Sequence, residues 1–179
     1  MDSYALLFLI LPMLSFVLQI SFGKMIGRNA HYISLVLIGM MLAQSLYIFF
    51  SSIHHTEPFV DSIVSWFTTS GMFSFEVGLK IDQIASIMLL IVSLISFLVH
   101  LYSTEYMKDD PRYTRYFAYL GLFTFSMNGI VLAPSLIMMY VFWELVGLSS
   151  YLLIGFWFEK DTASEACKKA FLVNRVGDI

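Results

Sequence analysis

Five long apolar runs divide this sequence, each close to the length a helix needs to cross the hydrocarbon core of a bilayer, which is ~20 residues at a rise of ~1.5 Å. They are Tyr4 to Phe22, Tyr32 to Ile53, Ile84 to Tyr102, Tyr116 to Ala133 and Ser135 to Phe158, and only the last contains a charge. Backbone amides in hydrocarbon have no water to bond, so such runs are expected as helices. The chain is therefore read in spans. Residues 1–53 hold helices one and two, 54–82 an extracytoplasmic loop with a β-hairpin, 83–158 helices three to five, and 159–179 the start of a sixth. The predicted architecture is all-α and transmembrane, with about five spanning helices and the beginning of an amphipathic sixth.

Composition agrees. Hydrophobic residues make up 59% of the chain and charged residues 13%, whereas soluble domains carry about a quarter charged. The ten basic residues are dispersed among acidic ones at a net charge of −3, which excludes a nucleic-acid footprint. The first apolar run has no basic flank before it and no small-residue cleavage site after it, so it reads as a retained helix. Cys167 is the one cysteine; it forms no internal disulfide and reads as a small apolar helix residue.

Lys and Arg resist translocation, so their distribution orients the spans. Lys24, Arg28, Lys108, Arg112, Arg115, Lys160, Lys168, Lys169 and Arg175 fall on one side and Lys80 on the other. The N-terminus is therefore expected outside the cytoplasm, and the segments after the third and fifth spans inside it. In the outer loop Phe73, Phe75, Val77, Leu79 and Ile81 alternate with polar or small residues, a strand period. The run Ser62 to Phe67 and the turn residues Thr69-Ser70-Gly71 complete a predicted hairpin. Asp82 stands where it can cap the third span. Thr162 and Glu165 are spaced as a capping box for the sixth helix, with Glu165–Lys169 and Arg175–Asp178 as pairs along it. Ile179 follows without a capping residue, so the sequence is expected to be the first part of a longer one.

Glu144 is the outlier. It lies about nine residues, roughly 13 Å, into the fifth run, near the bilayer midplane. A charge at that depth costs several kcal/mol, so it is expected to face protein or a water-filled cavity and to have a partner. Such a carboxyl suits a proton relay; the alternative is a fixed group that fastens one helix to another. Gly147, Ser149, Ser150 and Gly155 on the same helix are small enough for close approach of a neighbour. His100, near the cytoplasmic end of the third span, is placed either for a proton entrance or for an interfacial role. His54 and His55, with Glu57 and Asp61, lack the further spaced ligands of a metal centre. No phosphate-binding glycine loop, paired CxxC, HExxH or haem-attachment motif occurs, so no metal, nucleotide or redox cofactor is expected to bind this chain. Trp66, Trp143 and Trp157 fit interfacial belts and helix packing.

Four separated stretches have recognisable wording: His100-Leu-Tyr-Ser-Thr-Glu-Tyr-Met107, Arg115-Tyr-Phe-Ala-Tyr119, the run Tyr140 to Phe156 containing Phe-Trp-Glu-Leu-Val-Gly, and Lys169 to Asp178 containing Asn-Arg-Val-Gly-Asp. In that order they resemble the subunit L, or chain 5, family of NADH-quinone oxidoreductases, the respiratory complex I. The resemblance is strong from about Phe75 onward and holds by pattern before it. It implies a distal membrane-arm subunit of a proton-translocating enzyme, in a bacterial or mitochondrial inner membrane, with other membrane-arm subunits as partners. It also implies that FMN, iron–sulfur clusters and the quinone site lie in other subunits. Glu144 corresponds to the family's fifth-helix glutamate, the partner of a lysine on a later helix, and Arg175 and Asp178 to a charged pair close to that glutamate. Multisubunit sodium/proton antiporters share the Phe-Trp-Glu-Leu wording and are the alternative; a purely structural membrane anchor is the second.

Overall fold

The computed structural model describes residues 2–53, 60–69 and 73–178, and it is mostly helical. In chain order the elements are α1 (Asp2–Ile26), α2 (Ala30–Ser52), β1 (Val60–Thr69), β2 (Phe73–Ile81), α3 (Gln83–Tyr106), α4 (Tyr113–Leu132), α5 (Leu136–Ile154) and α6 (Asp161–Gly177). Among the described residues four helices are long and apolar enough to cross a membrane by length and composition: Ala5–Gly23 of α1, α2, α3 and α5. Helices α1 to α4 pack into a bundle in which α1 lies against α4 and α2 against α3; α5 packs on α4, and α6 on α5. The helices run past the apolar stretches at several ends: α3 continues to Tyr106 and α4 starts at Tyr113. Polar side chains at a membrane surface do not stop a helix whose backbone is already paired. At the other extreme α5 ends at Ile154, four residues short of the apolar run, because Gly155 to Phe158 form the turn toward α6.

Helix α4 sits at the centre, touching α1, α2, α3 and α5. Its position explains why its sequence is the less apolar one. Thr124, Ser126 and Asn128 are buried, and the hydroxyls return to their own helix, Thr124 to the Leu120 carbonyl at 2.9 Å and Ser126 to that of Leu122 at 2.7 Å. A helix enclosed by protein tolerates such groups; one facing lipid does not. Asn128 has a further role. Pro12 lies inside α1, and with no amide hydrogen it leaves the Phe8 carbonyl, four residues back, without its helical donor. The Asn128 side-chain amide reaches across from α4 and donates to that carbonyl at 2.9 Å. Other interhelical contacts are between small polar side chains: the hydroxyls of Ser45 of α2 and Ser93 of α3 at 2.6 Å, those of Ser96 of α3 and Thr124 of α4 at 2.6 Å, and the Gln19 amide and Ser15 hydroxyl of α1 with the Ser34 hydroxyl of α2. Each is worth on the order of 0.6 kcal/mol in a membrane bundle.

Strands β1 and β2 pair antiparallel, Val60 opposite Ile81 and Thr69 opposite Phe73, with an irregularity between Ser65 and Phe67. The expected turn residues Ser70 and Gly71 lie outside the described residues, as do His54, His55 and Glu57. Buried Leu79 and Ile81 tie β2 to the bundle core beside Leu89 of α3 and Leu132 of α4. Asp82 caps α3 as its position predicts, its carboxylate accepting from the Ala85 amide at 2.8 Å. Ser135 does the same for α5 toward Met138. The cap expected at Thr162 is not there. Helix α6 begins at Asp161, one residue earlier, its N-cap Lys160 gives no side-chain cap, and the acidic first-turn residue is Asp161. The turn preceding it, closed by Lys160 N–H to the Trp157 carbonyl at 2.9 Å, sets the start and leaves Thr162 inside the helix.

Candidate functional site

The glutamate lies midway along α5, in a run with no other charged residue. Helix α6 returns antiparallel along the same face. Its contacts climb one helix as they descend the other: Cys167 against Gly155, Phe171 against Tyr151 with ring centroids 5.6 Å apart, Arg175 with Glu144, and Asp178 with Trp143. Residues 167, 171 and 175 stand four apart, as do 147, 151 and 155, so each set occupies one stripe of its helix. Gly155 permits the closest approach, because a β-carbon there would lie 2.9 Å from the Cys167 sulfur.

At the far end of this seam the Arg175 guanidinium donates to the Glu144 carboxylate in an ion pair. The Glu144 side chain is 21% exposed and that of Arg175 44%. The Arg175 guanidinium also lies over the Phe171 ring, 5.2 Å from its centroid, one turn back on the same helix. The Trp143 indole donates to the Asp178 carboxylate at 3.0 Å. The Tyr140 hydroxyl, one turn before Glu144, lies close to both members of the ion pair. Around them is a groove of ≈ 300 Å³ lined by Glu144, Gly147, Ser150, Asn174, Arg175 and Asp178 among others. Gly147, with nothing near its missing side chain, supplies part of that space. The arrangement holds a carboxylate against one cation, with a second carboxylate two contacts away and room for water between them. An ion pair with a hydrogen bond stabilises the charged carboxylate, and separating the partners removes that stabilisation.

Of the four residues picked out in the sequence, three meet at this groove and the fourth does not. Arg175 pairs with Glu144 and not with Asp178, because the α5–α6 turn brings a residue 31 positions away nearer than the neighbour on its own helix. The expected Glu165–Lys169 pair makes no ion pair within 4 Å; both side chains are exposed. His100 is 1% exposed between α3 and α4, where its Nδ1 donates to the Ser96 carbonyl at 2.7 Å and its ring lies beside Phe117. It borders a separate, apolar cavity of ≈ 280 Å³. Trp143, expected in an interfacial belt or in helix packing, lines the groove and meets α6 through Asp178. Its signal was its place beside Glu144; nothing in the sequence pointed to Asp178 as its partner. Tyr140, four residues before Glu144, was findable from helical spacing alone. Among the described residues no three His, Cys, Asp or Glu side chains gather as metal ligands.

Comparison with known proteins gives two family matches. Residues 66–117 match the family described as NADH-ubiquinone oxidoreductase (complex I), chain 5 N-terminus, and residues 133–179 the family described as NADH:quinone oxidoreductase/Mrp antiporter, TM. The chain is 45% identical to the chloroplastic NAD(P)H-quinone oxidoreductase subunit 5 of Chlorokybus atmophyticus, over 98% of its own length and 28% of the relative. It is 40% identical to NAD(P)H-quinone oxidoreductase chain 5 of a Picosynechococcus strain, over 98% of its length and 27% of the relative. The chain thus spans about a quarter of the length of the curated relatives it matches. Among solved structures, a chain of the Mrp complex from a Dietzia strain superposes with a TM-score of 0.75 at 25% identity, covering 97% of this chain and 18% of that one. A chain of the membrane-bound sulfane sulfur reductase, an archaeal respiratory membrane complex, superposes with a TM-score of 0.81 at 18% identity, covering 99% and 35%, a likeness of fold. The apolar helices and these relatives together make this a multi-pass membrane protein.

Proposed function

Since the chain belongs to the chain-5 family of NADH:quinone oxidoreductase membrane subunits, we propose that it acts in proton translocation driven by electron transfer from NADH or NADPH to quinone. The observation that supports this most directly is the Glu144–Arg175 ion pair in the middle of an otherwise uncharged helix. A carboxylate there exchanges a proton only if its cationic partner moves. Asp178, held by the Trp143 indole, is the second acceptor toward which Arg175 swings when Glu144 becomes neutral. Charge on α6 is in this way coupled to protonation on α5.

In the same reading α4 also crosses the membrane, as the fourth of five spans in chain order, shielded from lipid by α1, α3 and α5. Nine of the ten basic residues lie on one side, which places that side in the cytoplasm or its equivalent and the N-terminus and β1–β2 pair opposite, across a bacterial or organellar energy-conserving membrane. The partners are other membrane-arm subunits of one complex. In this reading flavin, iron–sulfur and quinone chemistry belongs to other subunits. His100 takes a packing role, joining α3 to α4, outside the proton path.

The test is Glu144→Gln in the assembled enzyme. The ratio of protons moved to electrons transferred is expected to fall while electron transfer continues; a wild-type ratio overturns the proposal. The likeness to a chain of the Mrp complex favours a second reading, a subunit of a sodium/proton antiporter. Sodium efflux that persists without any NAD(P)H oxidation would select it. A purely structural anchor would leave coupling intact after charge removal at Glu144, Arg175 and Asp178.

A further inference from the structure

Helix α6 packs on α5 and on no other element among the described residues, so the angle at which it leaves α5 decides whether Arg175 reaches Glu144. That angle is controlled from elsewhere. The turn between α5 and α6 is held by the turn between α3 and α4. Asp110 uses both carboxylate oxygens: Oδ1 accepts from the Arg112 amide at 2.8 Å, and Oδ2 accepts from the Trp157 indole at 2.9 Å. The Arg112 guanidinium lies between two aromatic rings, 5.3 Å from the Phe156 centroid and 5.0 Å from that of Phe158, with the Glu159 carboxylate 3.5 Å from Nη1. The Arg112 and Asp110 side chains are only 18% and 13% exposed, unusual enclosure for charges in a surface turn. Pro111 between them restricts the backbone of this turn.

We propose that Asp110 and Arg112 are positioning residues: they clamp the α5–α6 turn through Trp157, Phe156 and Phe158 and thereby seat α6 with Arg175 against Glu144. The inference rests on the proton-translocation reading for its functional consequence, though the seating of α6 is measurable without it. A planar guanidinium stacks between two rings and still pairs with a carboxylate at its edge; an ammonium on a flexible stem does not. The two turns thus behave as one rigid corner, its Asp110 and Arg112 lying 65 and 63 residues before Arg175, and a shift of the α3–α4 turn is carried to α6.

The chain supplies its own reporter. Cys167, its single cysteine, is buried at the α5–α6 contact beside Gly155, so its modification by a membrane-permeant maleimide requires α6 to lift. In the assembled complex, with the Cys167 peptide followed by mass spectrometry, Arg112→Ala is expected to speed labelling about tenfold, since labelling follows the population of the open form. Arg112→Lys is expected to give an intermediate rate. Both are expected to lower the proton-to-electron ratio with electron transfer retained. Trp157→Phe removes the indole donor but keeps the ring; it is expected to speed labelling less, and it decides the matter if Arg112→Ala does not assemble. Wild-type labelling in every variant that assembles overturns the clamp. Fast labelling with a wild-type ratio overturns its functional link. If instead Glu144→Gln pumps normally, the translocation reading fails while the labelling still reports how α6 is seated.

Discussion

Single side chains in this bundle matter most where the backbone lacks its usual partner. The Phe8 carbonyl is orphaned by Pro12 and accepts from Asn128, which is fully buried. Asn128→Leu keeps the volume and loses the donor, leaving a buried carbonyl unsatisfied at a cost of about 1–3 kcal/mol. The detergent-solubilised variant is expected to melt at a lower temperature than wild type; an unchanged melting temperature would show that the carbonyl finds another donor. Gly129 is the second such place. A β-carbon there would lie 2.1 Å from the Phe142 ring, so Gly129→Val must push α5 away from α4 and is expected to cost about 1–3 kcal/mol, read by the same melting experiment. Glu144 stood out in the sequence because a lone charge within an apolar run calls for a partner, and Arg175 is that partner. Asn128 did not: the proline signalled an orphaned carbonyl, but the donor lies 116 residues farther along and only the packing of α4 on α1 identifies it.

The same division holds for whole elements. Helices α1, α2, α3 and α5 were legible because lipid demands long uncharged runs, and α3 begins where Asp82 can cap it. Replacing that carboxylate, Asp82→Ala, is expected to cost about 1 kcal/mol and to speed hydrogen exchange at the Ala85 amide above all; equal exchange in both proteins would contradict the cap. The strand expectation for residues 73–81 rests on a period of two, which is a local property. The start of α6 was misjudged, because Thr162 and Glu165 have capping-box spacing while the preceding turn closes on Lys160 and starts the helix earlier. Its charge pairs were misjudged for a related reason. Local spacing favoured Arg175–Asp178, but the fold-back of α6 supplies two partners from α5, Glu144 and Trp143, that no helical wheel contains.

Across the molecule, a bundle of α1 to α4 forms the fixed part, α5 carries the acidic group on its surface, and α6 brings the cation back to it. The groove between α5 and α6 is half-enclosed, with Arg175 set against Glu144 along it. The account stands on Glu144 gaining and losing its proton as the enzyme turns over. Infrared difference spectroscopy of the complex under turnover measures this directly. The account predicts a carbonyl-stretching band of a protonated carboxylic acid that appears and disappears with electron transfer and is missing in Glu144→Gln; a difference spectrum identical in wild type and Glu144→Gln would contradict it.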